Sequence, residues 1–146
     1  MSTRITKSAL VPYSAEQMFR LVDDVEHYHE FLPWCKNSHV IERKVESVEA
    51  RLDIAQSGIS KSFTTINRLT PGETIVMELV EGPFKHLKGA WFFEPLGDTG
   101  SKVSLDLSFE FSNKLMGMTF GPAFSKIAST LVDAFIQRAK QEYKTD

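Results

Sequence analysis

Val103–Tyr143 reads VSLDLSFEFSNKLMGMTFGPAFSKIASTLVDAFIQRAKQEY, and the hydrophobic period changes partway through it. Val103, Leu105, Leu107, Phe109 and Phe111 alternate with Ser104, Asp106, Ser108 and Glu110, the two-residue period of a strand with one buried face. Farther on, Phe120, Phe124, Ile127, Leu131 and Phe135 recur every three or four residues, the period of an amphipathic helix. Gly121-Pro122 falls inside that run, and a proline removes one helical hydrogen bond. The spacing therefore predicts a short helix near Asn113–Phe120 and a long one from Pro122 to Tyr143.

Upstream, nearly everything is strand pattern. Thr3–Val11 places Ile5, Ala9 and Val11 on one face, interrupted by Lys7. Ser14 with Gln17 makes a capping box for a short helix ending near Asp23–Asp24, and a second helical turn spans Glu26–Phe31 before Pro33. His39–Ser47 mixes charge and apolar residues as an edge strand does. Val48–Ile54, Phe63–Leu69, Ile75–Leu79 and Leu87–Glu94 follow with period two, separated by Ser57-Gly58, Thr70-Pro71-Gly72 and Gly82-Pro83. The order is strand, two short helices, six sequential strands, long helix. Sequential strands with short turns make an antiparallel meander, and the long helix is the one element large enough to cover its apolar face. The expected class is α+β, with a curved six- to seven-stranded antiparallel sheet around the C-terminal helix, one domain over residues 1–146.

Composition narrows the function. The chain has 146 residues, 42% hydrophobic and 25% charged, with no linker or repeat. Seventeen Lys+Arg against nineteen Asp+Glu leave a net charge of −2, which disfavours DNA and other partners held mainly through phosphates. The longest run without Asp, Glu, Lys or Arg is Leu115–Ser125, eleven residues, too short for a transmembrane segment. The N-terminus lacks the apolar run of a signal peptide, so a cytoplasmic location is expected.

Catalytic motifs are largely missing: no GxSxG, P-loop, GxGxxG or HExxH. His27, His29, Cys35 and His39 lie within thirteen residues, but their spacing matches no zinc pattern, and they read as solvated loop histidines beside a structural thiol. Asp23, Asp24 and Glu26 read as a helix end and polar loop. No catalytic residue, metal ligand or required cofactor is expected.

The inward faces carry Phe63, Met77, Leu79, Trp91, Phe93, Leu105, Leu107 and Phe109, and the helix adds Phe124 and Leu131 beside small Gly117, Gly121, Ala123, Ala128 and Ala134. A sheet curved around such a helix can leave a dry cavity, with Met77, Met116 and Met118 as a compliant entrance. Periodicity alone favours a filled core made of the same residues. The polar inward candidates are Thr65, Asn67 and Lys7.

Four stretches resemble one family: LVDDVEHYHEFLPWC (Leu21–Cys35), FTTINRLT (Phe63–Thr70), LVEGPFKHLKGAWFFEPL (Leu79–Leu96) and FEFSNKL (Phe109–Leu115). It is the RatA-type ribosome association toxin family, within the START-like, coenzyme-Q-binding and polyketide cyclase superfamily. His29 departs from it, standing where the family has proline after Tyr28, which should loosen the short second helix. The resemblance implies a helix-grip (START/Bet v 1-like) fold with a cavity between sheet and helix. It implies a protein that binds the large ribosomal subunit and stops subunit association. Relatives bind ubiquinone, and an older label implies an oligoketide cyclase.

A cyclase needs polar groups in its cavity to move protons, and the inward positions hold no Asp, Glu, His or Arg. A non-enzymatic ribosome-binding role leads, with ubiquinone or another apolar lipid as the alternative ligand. The expected cavity residues are Phe63, Thr65, Met77, Leu79, Trp91, Phe93, Leu105, Phe124 and Leu131. The expected ribosome-facing residues are Lys36, Arg43, Lys44, Lys85 and Lys88.

Overall fold

The computed structural model describes residues 2–143. Its strands are β1 (Thr3–Val11), β2 (Cys35–Arg43), β3 (Ser47–Gln56), β4 (Ile59–Thr70), β5 (Thr74–Glu81), β6 (Phe84–Leu96) and β7 (Gly100–Phe111). Two α-helices, α1 (Ala15–Asp23) and α2 (Lys114–Glu142), and a 3₁₀ helix (Val25–Glu30) complete the chain. All seven strands form one antiparallel sheet in the order β1-β7-β6-β5-β4-β3-β2. The meander therefore runs without crossovers from β2 to β7, and β1 closes against β7 at the far edge. Register shifts interrupt β2, the start of β4–β5 pairing and the start of β6, and such bulges bend and twist a sheet. The result is a helix-grip fold, a curved sheet around a long helix.

The strands obey their two-residue period. Val103, Leu105, Leu107, Phe109 and Phe111 of β7 are all buried, and Val48, Ala50 and Ile54 do the same on β3. Ser14 caps α1 as its sequence predicts: its hydroxyl accepts from Gln17 N–H, and Gln17 Oε1 accepts from Ser14 N–H at 2.9 Å. Met18, Phe19, Leu21 and Val22 then bury the inner face of α1, with Phe19 edge-on to Phe93.

Two expectations need correction. The first edge strand is β2 at Cys35–Arg43, four residues earlier than His39–Ser47. The chain turns at Lys44–Glu46, where Lys44 N–H donates to Ser47 O at 2.8 Å. Buried Cys35 is paired to Ile54 and starts the strand, while its charged end looks the same in sequence whether extended or turning.

The helix break at Gly121-Pro122 is also absent. Lys114–Glu142 is one helix of 29 residues with Pro122 inside it. A proline disturbs a helix partly through a clash with the Cβ of the residue before it, and Gly121 has none. Asn113 caps the start by accepting from Met116 N–H at 2.8 Å. Phe120 and Phe124, which flank the proline, are buried against Phe111, so packing fixes the helix on both sides of it.

The looseness expected from His29 is met by a 3₁₀ helix whose His29 N–H and Nδ1 both approach Ser38 Oγ, at 3.3 and 3.1 Å. Tyr28 anchors the same segment by donating to Val22 O.

Candidate functional site

β4 brings Phe63, Thr65 and Asn67 to the inner face at alternate positions, and β3, β5, β6 and β7 add Ala50, Leu52, Ile54, Met77, Leu87, Trp91 and Leu107 beside them. α2 lies across this face and contributes Phe124, Ile127, Ala128, Leu131 and Phe135, one helical turn apart. Val25, Tyr28 and Trp34 close one end. Between these eighteen side chains lies a cavity of about 80 Å³.

That volume is smaller than the ~150 Å³ of an apolar cavity known to take a benzene ring. The resting cavity is therefore a slot that widens only if side chains move. Leu52, Phe63, Met77 and Leu131 are only partly buried and are the side chains free to do so, the thioether of Met77 most easily.

Six of the nine expected cavity residues line it: Phe63, Thr65, Met77, Trp91, Phe124 and Leu131. Leu79, Phe93 and Leu105 do not. Phe93 stacks on Trp91 with its other side against Phe19, and Leu105, 1% exposed, is packed core. Met116 and Met118 also fall outside the lining. Met118 is 69% exposed near the start of α2. Tyr28 and Trp34, which the sequence did not single out, line the cavity because the chain before β2 folds over its end.

Among the described residues no Asp, Glu, His, Lys or Arg touches the cavity. The polar groups in reach are few. Thr65 Oγ1 donates to Asn67 Oδ1 at 2.9 Å, with both residues buried. Tyr28 donates to Val22 O, and burial raises its phenol pKa well above the ordinary value, so it stays protonated.

Elsewhere, the expected cationic residues sit in two groups. Lys36, Arg43 and Lys44 are on and beside edge strand β2. Lys85 and Lys88 are on β6, separated from β2 by three strands, roughly 19 Å along the sheet. Arg43 is held by Asp23, with Nη1 3.2 and 3.1 Å from its carboxylate oxygens and Nη2 3.0 Å from its carbonyl. Lys44 pairs with Glu42 at 3.3 Å and Lys85 with Glu110 at 3.8 Å. Among the described residues Lys36 and Lys88 have no ion-pair partner. The structure thus brings the five cations together only as two separate groups, three of them already compensated.

Among the described residues no cluster of His, Cys, Asp and Glu could hold a metal. His27 Nδ1 lies 2.7 Å from Asp24, and Cys35 Sγ donates to Asn37 O. Burial pushes the Cys35 thiol up to about 11, with Ser38 opposing and Asp53 adding to the shift. Among the described residues no helix is long and apolar enough to cross a membrane.

The family model for "Polyketide cyclase / dehydrase and lipid transport" matches residues 11–136. The "Ribosome association toxin RatA" of Vibrio cholerae is 52% identical over 140 residues, covering 96% of this chain and 97% of its own. The chain belongs to this family, in its RatA branch. Within the same family, "Coenzyme Q-binding protein COQ10, mitochondrial" of Drosophila melanogaster is 33% identical over 140 residues, covering 93% of this chain and 58% of the fly protein.

Solved structures share the fold. The Zhui aromatase/cyclase of Streptomyces sp. R1128 superposes with a TM-score of 0.86 at 16% identity, covering 99% of this chain and 98% of its own. A START superfamily protein of Mycobacterium smegmatis gives 0.78 at 25% identity over 94% and 97%. At 16% identity the cyclase likeness speaks for the fold alone.

Proposed function

We propose that this chain is a non-enzymatic ribosome association toxin that binds the large ribosomal subunit in the cytoplasm and hinders its joining to the small one. The observation that carries this reading is 52% identity, nearly end to end, with the Vibrio cholerae protein of that name. With a net charge of −2, attraction to an RNA-rich surface must be local rather than global. Of the five expected cations, Lys36 and Lys88 have no carboxylate partner among the described residues, while Arg43, Lys44 and Lys85 would have to exchange one to meet phosphate.

Co-sedimentation with separated large subunits across a salt series tests this. Binding should weaken steeply as salt rises, because phosphate contacts release counterions. Lys36→Glu combined with Lys88→Glu should weaken it further with little change in Tm, since exposed charges contribute little to folding. No co-sedimentation at low salt would end the ribosome reading.

A second reading rests on the cavity: an apolar ligand of the ubiquinone class, held by area burial and stacking on Phe63, Trp91 and Phe124. The fly relative's name supports it. An inner cavity and an outer ribosome-facing surface can coexist on one domain. A cyclase reading has the least support, because general acid–base chemistry needs a titratable group at the substrate and, among the described residues, the lining offers no carboxylate or imidazole.

A further inference from the structure

Two polar side chains stand in the otherwise apolar wall contributed by the sheet, at Thr65 and Asn67. Valine or leucine would suit these inward strand positions if the cavity were only core or held only hydrocarbon. Both residues are more than nine-tenths buried, at 9% and 8% exposure. The Thr65 hydroxyl donates to Asn67 Oδ1 at 2.9 Å, which satisfies the amide oxygen and fixes the plane of the carboxamide.

A carboxamide also carries two N–H donors, and among the described residues nothing accepts from Asn67 Nδ2. The same holds for the indole N–H of Trp91, which is 2% exposed. Yet among the described residues no fully enclosed side-chain nitrogen or oxygen lacks a partner. Both donors therefore reach open volume, and both residues line this cavity.

We propose that Asn67, positioned by Thr65, determines the cavity's specificity by donating a hydrogen bond to a carbonyl oxygen of a neutral, planar, ring-bearing ligand. This rests on the reading that the cavity holds an apolar ligand of the quinone class, and adds the residue that selects it. Among the described residues no cation lines the cavity to offset a carboxylate or phosphate, so a fatty-acid or phospholipid head does not fit. The rings of Phe63, Trp91, Phe124 and Phe135 offer faces and edges to a flat molecule. A quinone or cyclic enone has both the flat apolar body and the acceptor, and a hydrocarbon has only the first.

The test compares two probes of matched shape by isothermal titration calorimetry on the full chain. One is dimethylnaphthoquinone, whose reactive ring positions are blocked by its methyl groups so that no thiol can add. The other is dimethylnaphthalene, the same skeleton without carbonyls. The protein should bind the quinone about tenfold more tightly, the scale of one neutral hydrogen bond. Asn67→Leu should erase that preference. Thr65→Val should reduce the preference partially.

A preference that survives Asn67→Leu overturns the proposal, as does equal affinity for both probes in the unaltered chain. In either case the apolar-ligand reading stands. If neither probe binds the unaltered chain, that reading falls and this one with it. Should Asn67→Leu fail to fold, the infrared carbonyl band of dimethylnaphthoquinone bound to the unaltered chain decides. A band lowered from its position in hexane, and less lowered in Thr65→Val, supports the hydrogen bond from Asn67, and an unshifted band, or one that Thr65→Val leaves in place, overturns it.

Discussion

At single residues, the sharpest contrast is between two close backbone approaches. A Cβ on Gly89 would lie 2.8 Å from Leu107 Cδ1 and 3.0 Å from Met77 Cε, the free ends of two cavity side chains, and 3.1 Å from Asp106 O. Those ends can shift into the slot, so Gly89→Ala should cost less than about 1 kcal/mol while weakening dimethylnaphthoquinone binding several-fold. A Cβ on Gly82 would lie 2.6 Å from Phe63 Cβ, an atom fixed to the β4 backbone. Gly82→Ala should cost about 1–3 kcal/mol. Urea unfolding of both variants checks the order, and equal costs would mean that the cavity does not yield.

Ionisable side chains give two further expectations. With its pKa pushed up to about 11, Cys35 holds only about a thousandth of its thiol as thiolate near pH 8. Iodoacetamide should label it less than a tenth as fast as a peptide thiol under native conditions. At His27, the hydrogen bond to Asp24, followed by the charge of Asp24, raises the imidazole pKa. A raised folded-state pKa gives stability that is complete below the unfolded value, about 6.5, and lost as pH rises through the folded value. Asp24→Asn should therefore lower Tm near about pH 5 and leave it nearly unchanged near about pH 8.5. The reverse pattern would show that the pair does not form.

Among the elements, α2 carries most of the energetic weight. Phe135 is 1% exposed and meets Tyr28, Phe31 and Trp91 edge-on at centroid distances of 5.3, 5.4 and 5.3 Å. Phe135→Ala should cost about 3–5 kcal/mol, and Leu131→Ala, on a half-buried residue, less. Pro122→Ala should stabilise by about 1–2 kcal/mol, because it restores a helical hydrogen bond in a helix that already runs through the site. A helix shortened or moved by that change, seen in circular dichroism, would contradict the continuous α2. These elements were largely legible in the sequence, since period two and period 3.6 are set by which face meets the core. Two rules failed for local reasons. Gly121-Pro122 reads as a stop, but packing of Phe120 and Phe124 on Phe111 overrides it. The β2–β3 hairpin turns through Lys44–Glu46, without glycine or proline to mark it. The cavity was legible to the same depth: period assigned Phe63, Met77 and Trp91 to the right face, but not how far along it the slot extends. Leu79, Phe93 and Leu105 share that face and lie outside the lining, while Tyr28 and Trp34 arrive from a segment whose path no period describes.

For the molecule as a whole, the two proposed activities sit on different surfaces and should separate. Ala128 is 1% exposed and lines the cavity, so Ala128→Leu should abolish dimethylnaphthoquinone binding while leaving co-sedimentation with large subunits intact. Loss of both would tie ribosome binding to the cavity. Sheet order carries a further consequence for how the molecule is made. β1 is synthesised first, yet its register partners run from Phe109 opposite Thr3 to Ser101 opposite Val11, about a hundred residues downstream. The helix that the sheet grips is translated after all seven strands. During synthesis the first strand must therefore wait unpaired, with the concave face bare, until β7 and α2 have left the exit tunnel. Nascent chains stalled at Ser112 should leave the β1 amides open to hydrogen exchange, and chains carried through Tyr143 and released should protect them. The proposed ribosome-binding activity would then be silent toward the producing ribosome until α2 has emerged from it.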